Sequence, residues 1–462
     1  MTPPNILYIH SHDTGRYVSP YGYALDTPHL QQLAEEGVLF RQAFCAAPTC
    51  SPSRAALLTG SSPHVNGMVG LAHRGSCLLD YSQHLAHVLA ANGYRTALSG
   101  TQHEASWDNC GVLGYHDLLD DIPMSDCDDP QLAIAQRASN YLAQHNEQPF
   151  FLSCGFIATH RMHGGGFQHH DVIAGDSRYC RPPAPLPDTP ATRRDFADFS
   201  VAATRLDKYM GIVFDALEAN GLVDNTLVIC TTDHGIAFPF MKCNLTDHGT
   251  GVMLILRGPG GYTGGTVVDA MVSHLDIVPT ICELTAIAPP RWLEGVALTP
   301  LVDGSAATIH EELFSEVNYH AAAEPMRAVR TARYKYIRRF HVEDTSILAN
   351  CDDGFSKDEL LSNGSWRERR QPADYLFDLL YDPNEAANLV DDPFYATQLT
   401  DMQQRLSGWM QRTHDPLLSG SVPIWPELTM NRTDDTTPEG PQYPAASLIT
   451  PTPLIYESDK LT

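Results

Sequence analysis

The chain has no two cysteines at the CxxC spacing that structural zinc sites and redox motifs use, although it carries eleven of them. An odd, scattered set excludes a disulfide framework as the organising device. Most of these residues read as buried reduced thiols. Positive charge is scarce as well. Thirty Lys and Arg face 55 Asp and Glu, for a formal net charge of −25. Nucleic-acid binding needs a positive footprint and is excluded on that ground. The same field repels an anionic substrate at long range, so such a ligand needs a metal or locally concentrated cations. Single Arg and Lys residues near a candidate site therefore carry information. No apolar run is long enough to cross a bilayer, and no membrane partner is expected. Pro3-Pro4 leads directly into Asn5-Ile6-Leu7-Tyr8-Ile9, with neither a basic n-region nor a long apolar h-region. The expectation is a cytoplasmic protein.

What is present is an alternation of apolar runs and helix-period segments. Strands are expected at Ile6–Ile9, Val38–Phe44, Tyr94–Leu98, Phe150–Ile157, Thr226–Thr232 and Val252–Leu256. Helices are expected from Thr27-Pro28 to Gly37, and over Leu85–Ala91, Gln131–Gln144, Phe196–Asn220 and Leu275–Ala286. That order predicts an α/β fold with a largely parallel sheet sandwiched by helices. Ligands of such sheets bind outside the carboxyl ends of the strands. Composition changes after about Pro300. Met326–Phe340 is β-like and rich in Arg and Tyr, Tyr375–Asp382 is a short strand candidate, and Leu399–Met410 is helical. The 462 residues are thus expected to form a large domain over 1–320 and a smaller α+β domain over 321–462. From Leu417 the chain is rich in Pro, Ser and Thr and is expected to be irregular and superficial.

Three strand-end segments carry chemistry. The first strand ends His10-Ser11-His12-Asp13, and Thr226–Thr232 ends Asp233-His234-Gly235. Either could be an ordinary turn. On one parallel sheet, however, both can converge on a crevice as metal ligands. Between them lies Cys50-Ser51-Pro52-Ser53-Arg54, followed by Ala55-Ala56-Leu57-Leu58-Thr59-Gly60. Ser51 or Ser53 can cap a helix, Pro52 suits its first turn and Gly60 its end. Cys50 then stands where free N–H groups favour an anion, and Arg54 is placed to grip an oxyanion bidentately.

Cys-Ser-Pro-Ser-Arg followed by Ala-x-Leu-Leu-Thr-Gly resembles the signature of formylglycine-dependent sulfatases. The likeness runs from Asn5 to about Asp415. It is closest to the sulfamidase branch, through Asp26-Thr27-Pro28-His29-Leu30, Asn66-Gly67-Met68, Asp233-His234-Gly235-Ile236, Pro325-Met326-Arg327 and Tyr381-Asp382-Pro383-Asn384-Glu385. The resemblance implies an alkaline-phosphatase-like fold. It implies a divalent cation, usually calcium in the family, and oxidation of Cys50 to formylglycine by a formylglycine-generating enzyme. In the family one hydroxyl of the formylglycine hydrate attacks sulfur, and ionisation of the other expels sulfate.

The implied metal set is Asp13, Asp233 and His234 with the oxygen made from Cys50. His12 stands where the family has a second Asp, which leaves manganese or zinc open beside calcium. Gly100-Thr101-Gln102-His103 aligns with a family Gly-Lys-x-His, so His103 takes the base role while Thr101 replaces the lysine. His160 matches the histidine near the leaving group, and Lys242 a basic residue that contacts sulfate. His163, His169 and His170 are candidates for the mouth, and Arg327 for a reach from the C-terminal domain. The implied substrate is a sulfated small molecule or saccharide, such as an N- or O-sulfated amino sugar. Two alternatives stay open, a phosphate or phosphonate monoester hydrolase and a catalytically impaired glycan-binding homologue. Oligomeric state, a homodimer included, is also open.

Overall fold

A computed structural model describes residues 3–119, 127–144, 148–167, 174–341, 344–364 and 366–449. Nine strands form the main sheet: β1 (Asn5–Ser11), β2 (Val38–Phe44), β3 (Arg95–Gly100), β4 (Asp117–Leu118), β5 (Phe150–Gly155), β6 (Thr226–Thr232), β7 (Gly251–Val252), β8 (Leu254–Arg257) and β9 (Thr266–Ser273). Their order is β4-β3-β5-β1-β6-β8-β2, with β7 and β9 both pairing with β2. From β4 to β6 all neighbours are parallel. β8 runs antiparallel to both β6 and β2.

Alternate residues of the central strands feed two separate cores, as the two-residue pleat requires. Ile6, Tyr8, Phe151 and Ile229 face α2 (Cys50–Thr59), α3 (Leu85–Ala91) and α6 (Ile277–Thr285), meeting Leu57, Leu89 and Ile281. Leu7, Ile9, Leu152 and Val228 face α1 (Pro28–Glu36), α4 (Pro130–Ala143) and α5 (Pro190–Ala219), meeting Leu33, Ile134 and Met210. Each helix is amphipathic enough to cover one sheet face, except α2, all of whose residues are buried.

A second sheet, antiparallel, follows: β10 (Glu312–Tyr319), β11 (Ala323–Thr331), β12 (Tyr334–Arg339) and β13 (Asp374–Asp378). Helix α7 (Ala396–Arg412) packs on it through Met402, Leu406 and Trp409. Buried charge ties this sheet to the loop after α2. Glu316 binds His64 Nδ1 at 2.7 Å and Arg327 Nε at 3.2 Å, and Arg327 also pairs with Asp415. Among the described residues no helix is long and apolar enough to cross a membrane.

The structure corrects several local expectations. Val252–Leu256 is not one strand, because the Met253 N–H leaves the ladder to donate to Gly15 O at 2.8 Å. Met326–Phe340 is β as expected, and it forms most of a hairpin, β11 and β12. Thr27 does not cap α1 with its side chain. That hydroxyl accepts from the Ser19 N–H and bonds the Ser19 hydroxyl instead. The segment after Leu417 is not superficial. Val422, Leu428 and Met430 are buried, and Trp425 Nε1 donates to Gly67 O at 2.9 Å. Large apolar residues spaced among the prolines anchor it.

Three buried histidines make the fold acid-sensitive. The Ala86 N–H donates to His84 Nδ1, so His84 caps α3 only while that nitrogen is unprotonated. Burial lowers His84 and His274 to about 3 and His248 to about 4, from the usual 6.5. The unfolded chain therefore takes up protons first, and stability present above the unfolded value is lost as pH falls through this window. Each contributes a loss of about 2 kcal/mol between pH 7 and 5. The denaturant midpoint is expected to fall steeply over that range, and less steeply in His84→Asn, which keeps a capping acceptor. An unchanged midpoint, or equal slopes in the two proteins, would contradict this.

Candidate active site

The register of the sheet builds the site. Ser11 lies opposite Thr232, so His12-Asp13 and Asp233-His234 leave β1 and β6 side by side. His10 and Gly100 both pair with Gly155, which puts the segments leading to His160 and His103 at the same carboxyl edge. Asp13 adopts φ 52°, a left-handed conformation that Asp tolerates better than most residues. Its N–H donates to Asp233 Oδ1 at 2.8 Å. Gly235 follows because a Cβ there would lie 2.0 Å from His248 O.

The catalytic-motif helix enters beneath these loops. Cys50 is its first residue and Thr49 its N-cap, with no side-chain cap. Ser51 and Ser53, expected as caps, do other work. Ser51 Oγ accepts from the Ala72 N–H, and Ser53 Oγ donates to Asp233 O. Cys50 Sγ stands 3.4 Å from His234 Nε2. That imidazole nitrogen is also 3.4 Å from Asp13 Oδ1 and 3.7 Å from Asp233 Oδ2. Ligand atoms of His12, Asp13, Cys50 and Asp233 all lie within 4.8 Å of one another, and all four residues are buried.

Arg54 does not present its fork to an oxyanion. It is fully buried, with Nη1 2.6 Å from His10 Nδ1 and Nη2 donating to Ser11 O at 2.7 Å and Asp233 Oδ2 at 3.1 Å. Arg54 is therefore a positioning residue for Asp233. Burial works to raise the Asp233 carboxyl, but His234, Arg54 and His12 overcome it and hold it well below the usual carboxylate range. Burial pushes the Cys50 thiol well up, with only partial opposition from Lys242. The unmodified thiol is thus a poor nucleophile here.

Lys242 is enclosed, its side chain 2% exposed, between Asp13 Oδ2 and Asp352 Oδ2, each 3.0 Å from Nζ. Burial opposes its charge, and the two carboxylates restore it and carry its pKa well above the usual value. His160 is 27% exposed, with Nε2 3.8 Å from Asp13 Oδ2. Its Nδ1 donates to the Arg161 carbonyl, and Arg161 is itself locked by two 2.8 Å bonds to Asp195. His103 Nε2 lies 2.8 Å from His73 Nδ1, the rings stacked at 5.0 Å. Burial, His73 and Arg54 hold His103 well below its usual value, so it is neutral.

The structure thus gathers His12, Asp13, Cys50, Arg54, His103, His160, Asp233, His234 and Lys242 around one crevice. Arg327 does not reach it, being consumed by Glu316 and Asp415. His163 is exposed beside Glu439, and His169 and His170 lie outside the described residues. Two participants were not singled out from the sequence. Asp352 stands in an Asp-Asp-Gly turn that reads as an ordinary loop, and His73 in a short 3-10 turn of no recognisable pattern.

Arg54→Lys is expected to keep the charge and lose the three-way fork. Affinity for a divalent cation should fall about 10–100-fold, as it does when a residue orienting a ligand is removed. Calorimetric titration with metal checks this; an unaltered affinity would remove the positioning role.

Residues 4–287 match the sulfatase family, and residues 235–355 match a domain described as N-sulphoglucosamine sulphohydrolase, C-terminal. Human N-sulphoglucosamine sulphohydrolase is 30% identical over 475 residues, 90% of this chain and 91% of that protein. A Delta 4,5-hexuronate-2-O-sulfatase of Bacteroides thetaiotaomicron is 25% identical over 95% of each chain. A solved 2-O GAG sulfatase superposes with a TM-score of 0.72 at 22% identity, covering 97% of this chain and 100% of that one. The phosphonate monoester hydrolase of Agrobacterium radiobacter gives 0.64 at 20% identity, covering 90% and 97%. The architecture is therefore alkaline-phosphatase-like. With one family matched from the first strand through α6, and a relative aligned over nine-tenths of both proteins, this chain belongs to the sulfatases and is a sulfuric ester hydrolase.

Proposed function

We propose that this protein hydrolyses a sulfate ester or sulfamate of an amino sugar, using formylglycine made from Cys50 and a divalent cation. The observation that carries the reading is the setting of Cys50. It is buried at the first turn of α2, with Sγ among His12, Asp13, Asp233 and His234. A cation fits that setting. Both ring nitrogens of His12 and Asp13 Oδ1 are buried with no hydrogen-bond partner among the described residues. His12, Asp13, Asp233 and His234 would hold it. A bound cation would polarise an oxygen at Cys50, and the hydrated aldehyde would offer one hydroxyl for attack on sulfur and a second whose ionisation releases sulfate.

The remaining groups have work that follows from their geometry. Neutral His103 has a ligand nitrogen within 4.8 Å of Cys50 Sγ and is suited to accept a hydroxyl proton there. His160 donates Nδ1–H to a carbonyl and turns Nε2 to the crevice, so the ring, once it has taken a second proton at Nε2, would pass that proton to a departing alcohol or amine. Lys242 supplies fixed positive charge beside Asp13, and Thr101, where the family resemblance implies a lysine, adds none. The amino-sugar class is supported by the human relative's name. Maturation by a formylglycine-generating enzyme follows from the same reading. His234 beside Asp233 makes a phosphonate monoester the second substrate class to measure.

The tryptic peptide Gln42–Arg54, from protein co-expressed with a formylglycine-generating enzyme, tests this. Mass spectrometry should show one thiol replaced by an aldehyde at Cys50, with Cys45 intact as the internal control. Cys50→Ala should lose about 10⁴-fold or more in turnover of an N- or O-sulfated glucosamine. Two intact thiols after verified co-expression, or turnover of the phosphonate ester alone, would overturn the proposal.

A further inference from the structure

The oxygens at this centre are few and already engaged. Of the Asp233 carboxylate, Oδ1 accepts from the Asp13 and His234 N–H groups at 2.8 and 2.9 Å, and Oδ2 from Arg54 at 3.1 Å. Of the Asp13 carboxylate, Oδ2 is held by Lys242 at 3.0 Å, and only Oδ1 lacks a partner. Nitrogen is abundant by comparison. His12 is buried with neither ring nitrogen hydrogen-bonded among the described residues, and His12 Nδ1 lies 3.3 Å from Asp233 Oδ2. His234 Nδ1 lies 2.9 Å from Gly235 O, which accepts a proton from it and leaves Nε2 as the lone pair aimed at Asp13 Oδ1 and Cys50.

Calcium takes six to eight oxygen ligands and gains little from imidazole. A borderline transition ion accepts four ligands of mixed nitrogen and oxygen character and gains most from imidazole. We infer that this centre selects a zinc-type transition ion over calcium, with His12 and His234 as its nitrogen ligands. The inference rests on the reading of the cluster as the metal centre of a sulfatase. His12 is then a ligand and not a packing residue, although its ring also sits 5.9 Å from that of His103 and 5.8 Å from that of His160.

The test uses the full chain with Cys50 converted, and in parallel Cys50→Ser, which removes a thiol that would itself draw zinc. Each is stripped with chelator and equilibrated with Zn²⁺ against about a hundred-fold excess of Ca²⁺. Metal content is then read by mass spectrometry. Both proteins should retain roughly one equivalent of zinc and little calcium. His12→Asp and His234→Asn should each weaken zinc at least about ten-fold and raise calcium retention. Folding of each variant is followed by circular dichroism, and the unsubstituted protein decides the matter if a variant does not fold. An equivalent of calcium in place of zinc, no metal at all, or zinc affinity indifferent to His12 in a folded variant would each overturn the inference. Sulfate-ester turnover by a calcium-loaded protein would sink this inference while leaving the sulfatase reading intact.

Discussion

A buried carboxylate with no water to solvate it must be satisfied by protein, and Asp233 organises this site because so many groups are needed to satisfy it. Two backbone N–H groups and a guanidinium donate to its two oxygens. The three donors come from different parts of the chain: the Asp13 N–H from the β1 loop, the His234 N–H from the β6 loop and Arg54 from α2. Satisfying one charge therefore fixes three segments relative to one another. The all-round burial of α2 has the same origin. A helix that must deliver Arg54 to the floor of the sheet and Cys50 to its rim has no face left for solvent.

The arrangement also answers how a chain of net charge −25 can accept an anion. Two basic residues are driven into the interior and pinned there by carboxylates, Arg54 by Asp233 and Lys242 by Asp13 and Asp352. Fixed charges in a water-poor site act more strongly than the same charges on the surface. The exterior field still disfavours approach, so encounter should be slow by comparison with enzymes that steer their substrates.

Much of this was legible in the sequence, and what was not has a common cause. Period marks the strands and helices, and the parallel alternation places Asp13 and Asp233 at strand ends of one sheet, while His103 and His160 are implied by the family resemblance. The direction of a side chain was not legible. Arg54 looked like an oxyanion clamp because its type and spacing suit that task, yet its length also lets it reach down to Ser11 and Asp233. Thr27, Ser51 and Ser53 sit in capping positions, but their hydroxyls bond Ser19, the Ala72 N–H and Asp233 O instead. Asp352 and His73 enter the site from segments whose local pattern is that of any turn. Contacts made across the fold, whether 21 positions apart as for Ser51 or 180 as for Ser53, leave no local signature for a single sequence to show.

The charge count of the contacting groups gives the cation a role beyond its chemistry. Asp13, Asp233 and Asp352 contribute three negative charges, and Arg54 and Lys242 two positive ones. These five groups sum to −1, which disfavours an anion such as sulfate. A divalent cation held by the same groups turns −1 into +1. On the function proposed above, anion binding would depend on cation binding, because the sign of the local field would reverse between the two states. Asp13 couples them physically, offering one oxygen to Lys242 and the other toward the cation position. On that reading, a site one charge below neutral would disfavour anions until a cation is bound, and would discriminate against unproductive binding without any moving part.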